Sequence, residues 1–191
     1  MRQVIVHYHI FKNAGSTLDS MLEKTFGKRW VNHDKSQAAA FISPEELGAF
    51  LEANPGLRAV SSHHAVLPLP VVPDVEIIPA LFLRHPLDRV RSVYDFERRQ
   101  GQETGPVSKG AEHAARLSFP DYLRWRLETT ANGVVHNFQT VRMIFSPRYN
   151  RREIKEADFE TAWQRVQSLP FFGLVEQFDT SIQMLSRTLA T

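Results

Sequence analysis

A chain of 191 residues with 42% hydrophobic content is long enough to bury a sizeable core, and we expect one domain spanning residues 1–191. The 23 Lys and Arg residues exceed the 21 Asp and Glu residues by too little for a dedicated nucleic-acid-binding protein. Cysteine is absent, which excludes disulfides and thiolate metal sites. No leader precedes the first strand-like run and nothing approaches the ~18 apolar residues of a membrane span, so we expect a cytoplasmic protein.

Strand-like and helix-like segments alternate through the first 100 residues. The helix that starts near residue 43 has the clearest start signal: Ser43 can cap it, Pro44 suits its first position and Glu46 completes a capping box. The apolar segment VEIIPALFLR is predicted to be the central strand. In chain order, we predict a strand over 3–10, helices over 16–26 and 43–54, strands over 57–62 and 75–84, and a helix over 86–100.

The second half of the chain is predicted to be mainly helical. Its stretch rich in Gly, Pro and charged residues, 101–116, is predicted to be a loop, either a lid over a substrate or a plain surface loop. In chain order, the other predictions are helices near 119–129, 132–145 and 158–168, a strand over 171–176 and a helix over 179–190. The whole pattern is typical of an α/β fold with a central, mainly parallel sheet flanked by helices.

The first candidate site is the turn in HYHIFKNAGSTL, where a strand leads into a helix. Gly15 permits a tight turn, and a helix that begins at Ser16 and Thr17 directs unpaired backbone N–H groups and its positive end toward one point. Such a turn can bind phosphate-like anions, and Lys12 adds a full positive charge. The alternative is an ordinary connection capped by Ser16. The turn is not a Walker A loop, because its lysine precedes its only glycine.

The second candidate site is in LFLRHPLDRVRSVY, where the apolar strand ends in Arg84 and a helix follows. A charged residue at the carboxyl end of a central strand lies over the crevice where open α/β sheets bind ligands, and Ser92 follows about two helical turns later. In a nucleotide kinase this strand more often ends in Asp, which holds magnesium. Alternatively, Arg84 pairs with Asp88 on the surface. We expect Arg89 and Arg91 to be solvated.

Together these two segments resemble a known family. HIFKNAGSTL is similar to the 5′-phosphosulfate loop, and LFLRHPLDRVRSVY to the 3′-phosphate motif, of sulfotransferases that use 3′-phosphoadenosine 5′-phosphosulfate (PAPS), particularly carbohydrate sulfotransferases related to heparan sulfate 2-O-sulfotransferase. Weaker similarity extends to 137–142 and 172–185. The resemblance implies a P-loop-NTPase-like three-layer fold, PAPS as co-substrate without a required metal, and sulfuryl transfer to a hydroxyl acceptor, expected to be a saccharide.

The resemblance also implies which residues bind the donor. The family usually has Pro where this chain has Phe11 and often Thr where it has Asn13, but neither departure removes a charge. Lys12 is implied to be catalytic as well, because it stabilises the charge that builds on the leaving phosphate. The implied donor-binding residues are Lys12, Asn13, Ala14, Gly15, Ser16, Thr17, Arg84 and Ser92.

Sulfuryl transfer to a hydroxyl also needs a base that takes the acceptor proton, and imidazole suits that role at neutral pH. The segment SSHHAV places two histidines just after a predicted strand, where the family carries its catalytic histidine. The family commonly has Gly before that histidine, and Ser62 stands there in this chain. The resemblance therefore assigns the base to His63, with His64 as the alternative. Without the resemblance, such a pair is more often exposed or structural.

A metal site is the other interpretation of the histidines. His7 and His9 share one face of the first strand, and with His63 or His64 they could supply three nitrogen ligands to zinc. No carboxylate or ligand spacing in the sequence completes such a site, so we predict no metal. Two other functions remain open: a P-loop-type small-molecule kinase that uses ATP, and a non-catalytic nucleotide-binding or polyanion-binding domain. The sequence does not indicate an oligomeric state.

Overall fold

The computed structural model describes residues 1–37, 40–105, 107–128, 133–144 and 154–189. In this part of the chain, parallel strands form a five-stranded sheet. Within those residues the strands are β1 (Arg2–Tyr8), β2 (Trp30–Asn32), β3 (Ala59–Ser62), β4 (Val75–Leu83) and β5 (Gly173–Leu174). Their order across the sheet is β2-β3-β1-β4-β5, and all four pairings are parallel. The prediction of an α/β fold with a mainly parallel sheet is confirmed.

Helices cover both faces of this sheet. The described helices are α1 (Gly15–Phe26), α2 (Pro44–Ala53), α3 (Pro86–Glu103), α4 (Lys109–Arg116), α5 (Phe119–Glu128), α6 (Phe138–Ile144), α7 (Glu156–Gln167) and α8 (Phe178–Thr188). Successive residues of a strand point to opposite faces. On one face Ile5 of β1 belongs to the apolar cluster of Leu18 in α1 and Leu185 in α8. On the other, Val6 belongs to the cluster of Leu47 in α2.

No described helix combines the length and the apolar character that crossing a membrane requires. The longest of them, α3, carries many charged residues along its 18 positions.

Most predicted elements are confirmed, with boundaries that shift by a few residues. The capping box at α2 is present: Ser43 Oγ accepts from the Glu46 backbone N–H at 3.2 Å, and Glu46 Oε2 accepts from the Ser43 N–H at 2.9 Å. β2 was not predicted, because three residues are too few for a periodic pattern. The helix predicted over 132–145 begins at Phe138, and the strand predicted over 171–176 is two residues long. Residues 106, 129, 132, 145 and 190 of the predicted elements lie outside the described residues.

The prediction of a loop over 101–116 is wrong. Helix α3 continues into this stretch, and α4 occupies its second half. Ser108 caps α4 by accepting from the Ala111 backbone N–H at 3.1 Å. Helix α4 packs on α3 so closely that a Cβ at Gly101 would lie 2.3 Å from the Ala111 carbonyl oxygen. This segment is therefore a packed helical pair rather than a lid.

The fold brings three connections to one edge of the sheet. Because β1, β3 and β4 are parallel neighbours, their carboxyl ends lie side by side. The turn before α1 follows β1, His63 follows β3, and Arg84 follows β4. From β1 the chain continues to β2, at one end of the strand order, and from β4 it continues to β5, at the opposite end. In open α/β sheets ligands bind where the direction reverses in this way.

Candidate functional site

The turn between β1 and α1 has an unusual backbone. Lys12 and Ala14 both have positive φ, 66° and 61°, and Ala14 is the residue that precedes the first turn of α1. Left-handed backbone in a residue with a Cβ costs about 1–2 kcal/mol, so the surrounding structure must hold this turn in place. Alternating conformations of this kind bring successive backbone N–H groups into a concave surface that suits an anion.

Gly15 is required by a close contact rather than by its φ. A Cβ at position 15 would lie 2.1 Å from Cδ2 and from Nε2 of His9. The imidazole of His9 therefore packs directly against the backbone at the start of α1. Any side chain larger than hydrogen at position 15 would displace this ring, so the glycine couples the turn before α1 to the histidines behind it.

A cavity of about 370 Å³ opens in front of the turn and brings together the predicted residues from three connections. Lys12, Ser16 and Thr17 reach it from the turn and the start of α1, and Arg84 reaches it from the end of β4. The full lining is His9, Phe11, Lys12, Ala14, Gly15, Ser16, Thr17, His63, Arg84, Ser92 and Phe96. Every residue that the sequence predicted for the donor and for the base is in this set except Asn13.

Asn13 lies beneath the turn. Its side chain is buried, and its Nδ2 donates to the Phe82 carbonyl oxygen and to Gln139 Oε1, both at 2.7 Å. Gln139 in turn accepts from the Arg84 backbone N–H at 2.9 Å and donates to the Arg84 carbonyl oxygen at 2.8 Å. Asn13 thus supports the turn rather than lining the cavity. Gln139, which the sequence did not single out, ties the turn to the residue after β4.

Arg84 has a fixed orientation in the cavity. Its Nη1 donates to the Lys12 carbonyl oxygen at 3.2 Å, and its buried Nε has no hydrogen-bond partner among the described residues. The alternative pairing with Asp88 is absent, and the basic side chain near that carboxylate is His85, whose Nδ1 lies 3.8 Å from Asp88 Oδ2. A half-buried guanidinium with a donor to spare is suited to bind an anion that enters the cavity.

The prediction that Arg89 is solvated is wrong. Its side chain is buried and donates to the carbonyl oxygens of Phe11, at 3.4 Å, and Val134. The Arg89 guanidinium carbon also lies 4.5 Å from the centre of the Phe138 ring. Arg89 therefore connects the turn before α1 to the residues at the start of α6. Arg91 is exposed, as predicted, and pairs with Asp95 in the next turn of α3.

Lys12 is the cation nearest the centre of the turn. Its Nζ lies 4.7 Å from the centre of the Phe96 ring, which is attractive for an ammonium group. Burial, together with the positive charges of Arg99 and Arg84, lowers the pKa of Lys12. An anion bound among these cations would relieve their mutual repulsion, so the cavity favours a ligand with negative charge.

His63 lies at the wall of the cavity. Its Nδ1 donates to the His9 carbonyl oxygen at 3.2 Å, which leaves Nε2 without a proton. Burial, and next the neighbouring His9, lower the pKa of His63. The neutral form therefore dominates at pH 7, and this is the form that can accept a proton.

His64, the alternative base, has a different environment. Its side chain is buried, and its Nδ1 accepts from the Lys35 backbone N–H at 3.0 Å. The backbone N–H groups of His63 and His64 both donate to Asp34 Oδ1, at 2.8 and 3.2 Å, so Asp34 holds the segment after β3. Of the two histidines, His63 alone lines the cavity in front of the turn.

A second cavity of about 470 Å³ lies on the other side of His63. Its lining is polar and aromatic except for one valine: His9, Phe11, Asp34, Lys35, Ser36, His63, His64, Val134, Phe138 and Arg142. His9, Phe11 and His63 also line the first cavity and so form a wall between the two. We call the first cavity the phosphate cavity and the second the polar cavity.

The sequence interpretation found no carboxylate near His7 and His9, and the structure corrects this. Asp19 of α1 accepts from His7 Nδ1 at 2.7 Å and from His9 Nδ1 at 2.9 Å. The three ligand-type atoms lie within 4.8 Å of one another, a spacing open to a metal ion. However, both Nδ1 protons are already donated to the two carboxylate oxygens. The contacts therefore form a hydrogen-bonded cluster that a metal would have to disrupt.

One signal in the sequence pointed to Asp19. The residues of α1 at positions 15, 18 and 22 are buried, and position 19 lies on the same helical face. A carboxylate on an apolar face needs a partner inside the protein. The histidines of β1 are the groups that this face meets.

Stability is expected to fall as the pH is lowered from 7 to 5. Burial lowers the pKa of His7 below 6.5, and burial likewise lowers the pKa values of His33 and His63. Between each lowered pKa and 6.5 the unfolded chain binds a proton that the folded chain does not, which costs up to about 1.4 kcal/mol per pH unit for each histidine. Thermal unfolding at several pH values measures this loss. In His7→Gln, whose amide does not titrate, the pH dependence should be smaller, and a wild-type stability unchanged over this range would contradict the expectation.

Comparison with known proteins gives one relationship. No family model matches the chain. No solved structure matches it. A protein of Archaeoglobus fulgidus described as uncharacterized is 34% identical over 194 residues, an alignment that covers 98% of this chain and 74% of the archaeal protein. Identity of that level over that length shows common ancestry, and the chain belongs to the same family as this archaeal protein.

Proposed function

We propose that the protein is a PAPS-dependent sulfotransferase that moves a sulfuryl group to a hydroxyl of a carbohydrate acceptor. The observation that carries the proposal is the lining of the phosphate cavity. There, Lys12 and the start of α1 share one lining with Arg84 and Ser92, with His63 at the wall. As the sequence resemblance implies, Lys12 and the start of α1 would bind the 5′-phosphosulfate of PAPS. Arg84 and Ser92 would bind its 3′-phosphate.

The composition of the phosphate cavity favours PAPS over a magnesium nucleotide. Its described lining contains Lys12, Arg84 and the hydroxyls of Ser16, Thr17 and Ser92, but no carboxylate. A P-loop kinase holds magnesium beside the transferred phosphate with a carboxylate from a neighbouring strand. β4 ends in Arg84 at that place, and a cation there suits a second phosphate group.

The proposed reaction is an in-line transfer. The S–O bond to the 5′-phosphate of PAPS breaks as a new S–O bond forms to the acceptor oxygen, and the acceptor proton passes to Nε2 of His63. The phosphate leaves with an additional negative charge as 3′-phosphoadenosine 5′-phosphate (PAP). Lys12 and the N–H groups at the start of α1 stabilise this charge without reorganising.

The acceptor is proposed to approach from the polar cavity. Because His63 lines both cavities, its imidazole can take the proton of an acceptor hydroxyl that enters from the polar cavity and reaches past the ring to the sulfuryl group. The polar cavity combines aromatic rings with charged and hydroxyl groups, which suits the mixed apolar and polar surface of a sugar.

We further propose that the fold is P-loop-NTPase-like. Support comes from the position of the anion-binding turn, which follows β1 at the centre of the sheet, where the connections reverse direction. The turn differs from a Walker A loop in the order of its lysine and glycine.

Ligand-dependent unfolding tests the proposal against its alternatives. PAP should raise the melting temperature far more than ATP with magnesium does, and radiolabelled PAPS should transfer sulfate to at least one member of a glycan panel. A kinase would show the opposite ligand preference. Stabilisation by PAP without turnover on any acceptor would indicate a non-catalytic nucleotide-binding domain, and stabilisation by neither ligand would contradict the assignment of the phosphate cavity.

Arg84→Ala is expected to weaken PAP binding by at least about 10-fold, because it removes a charge-assisted contact to the 3′-phosphate in a partly buried site. Adenosine 5′-phosphosulfate lacks that phosphate and should bind almost as before. Calorimetric titration of both ligands measures the difference. The matched control is Arg91→Ala, which removes an exposed arginine from the following helix. Equal losses for the two ligands in Arg84→Ala would contradict the assignment of Arg84.

A further inference from the structure

Three histidine rings form a row from the core of the protein to the wall between the two cavities. The ring centres of His7 and His9 are 4.9 Å apart, and those of His9 and His63 are 3.8 Å apart. His7 is fully buried, whereas His9 and His63 line both cavities. A single carboxylate, Asp19, is hydrogen-bonded to the first two rings.

Asp19 determines which nitrogen of each ring carries the proton. Both of its oxygens accept Nδ1–H groups, one from His7 and one from His9, so Nε2 of each ring is left without a proton. Burial acts to raise the pKa of Asp19, but hydrogen bonds from His7, His9 and Ser61 hold it well below its usual range. The carboxylate is therefore ionised at all physiological pH values.

The His9 ring transmits this orientation to His63 by packing against it, and the His9 backbone supplies the acceptor for His63 Nδ1–H. The His63 ring lies against the His9 ring at an angle of 33°, and the His63 Nδ1–H is donated to the His9 carbonyl oxygen. On its other side the His9 ring is fixed by contact with Gly15. A His9 ring free to rotate would remove the surface against which His63 packs.

We propose that Asp19 is a positioning residue that acts through His9 to hold His63 with its unprotonated Nε2 facing the cavities. The arrangement resembles the general case in which a carboxylate orients an imidazole that accepts a proton from a hydroxyl. Here an additional imidazole stands between the carboxylate and the proposed base. The step from orientation to turnover rests on the proposed function, whereas the orientation itself does not.

The test uses Asp19→Asn, which has nearly the shape of the native side chain. An amide offers one acceptor and one donor, so it cannot accept from both Nδ1–H groups, and the histidine that keeps its hydrogen bond loses the ionised acceptor that fixed its tautomer. We expect kcat to fall by about 10–100-fold, the range typical for loss of an outer orienting group, with PAP affinity and the KM for PAPS within about threefold. The control His7→Gln loosens the same cluster but keeps the contact between Asp19 and His9, so its kcat should stay within about threefold.

Two readouts separate positioning from a merely structural role. In the His63→Ala background, Asp19→Asn should cause no further loss of kcat, because its effect passes through His63. Imidazole ¹⁵N spectra of the protein without substrate should show His9 protonated at Nδ1 and His63 unprotonated at Nε2, with both signals altered in Asp19→Asn and retained in His7→Gln.

Unaltered His9 and His63 signals in Asp19→Asn would overturn the proposal, and so would an equal loss of kcat with and without His63. If the wild-type protein transfers no sulfate to any acceptor, the proposed function fails, and the spectra alone then decide whether Asp19 positions the two rings.

Discussion

Replacing His63 with alanine is expected to lower the turnover number by about 10²–10⁴-fold, the usual cost of removing a general base. The expectation follows from its position in the wall between the two cavities and from its donation of Nδ1–H to the His9 carbonyl oxygen, which leaves Nε2 available. PAP should still bind within about threefold, because its phosphates contact other residues. Sulfate transfer to a glycan panel and calorimetric titration with PAP measure the two quantities.

The matched control is the neighbouring histidine. His64→Ala should lose much less activity, because Nδ1 of His64 already accepts from the Lys35 backbone and its ring lines only the polar cavity. If His64→Ala is the inactive variant and His63→Ala retains activity, the base is His64. Activity retained by both variants would show that neither histidine accepts the proton.

Lys12→Met is expected to lower kcat by about 10²–10³-fold, the usual cost of losing one donor that stabilises charge in the transition state. Unlike His63→Ala, it should also weaken PAP binding, since in the proposed reaction the ammonium group contacts the phosphate that gains charge during transfer. Methionine keeps the apolar stem that packs near Phe96, so the turn itself should persist. Single-turnover transfer and PAP titration provide the two measurements.

Lys24→Met, which removes an exposed lysine from the last turn of α1, is the control for the loss of one positive charge. Its PAP affinity and turnover should match those of the wild type. A Lys12→Met variant with wild-type turnover would contradict the role of Lys12. If Lys12→Met and Lys24→Met lower turnover and PAP affinity equally, the loss reflects net charge and not a specific role of Lys12.

The sequence indicated the main elements of the site because its signals are local. The turn before α1, Arg84 and His63 each follow a predicted strand. In a parallel sheet, the carboxyl ends of adjacent strands lie side by side, so strand pairing alone predicts that the residues following them are close together. Strand pairing therefore converts three separate local patterns into one cavity.

The directions of individual side chains could not be predicted in the same way. Asn13 and Gln139 are 126 positions apart, and only tertiary packing shows that Asn13 points beneath the turn. Arg89 was assigned to solvent from its charge, although it lies four residues before the buried Val93 and so on the inward face of α3. The helical period was the better guide there, because a guanidinium can be buried wherever carbonyl oxygens accept its protons.

Helix α4 was missed for a related reason. Its buried face consists of alanines and a glycine rather than large apolar residues, and the Gly, Pro and charged residues around it are typical of a loop. The contact with α3 requires such small residues, since a Cβ at Gly110 would collide with the Glu97 carboxylate of α3. The small residues that allow this close packing are also the ones that make the segment resemble a loop.

The wall formed by His9, Phe11 and His63 has a consequence for the design of inhibitors. Because the two cavities adjoin along this wall, a fragment bound in one and a fragment bound in the other would be separated by these three side chains. A short linker across His63 would make the second binding event intramolecular, and avidity could then exceed that of either fragment by about 10²–10⁴-fold. Such a bivalent compound would select for proteins in which both cavities and their common wall are present.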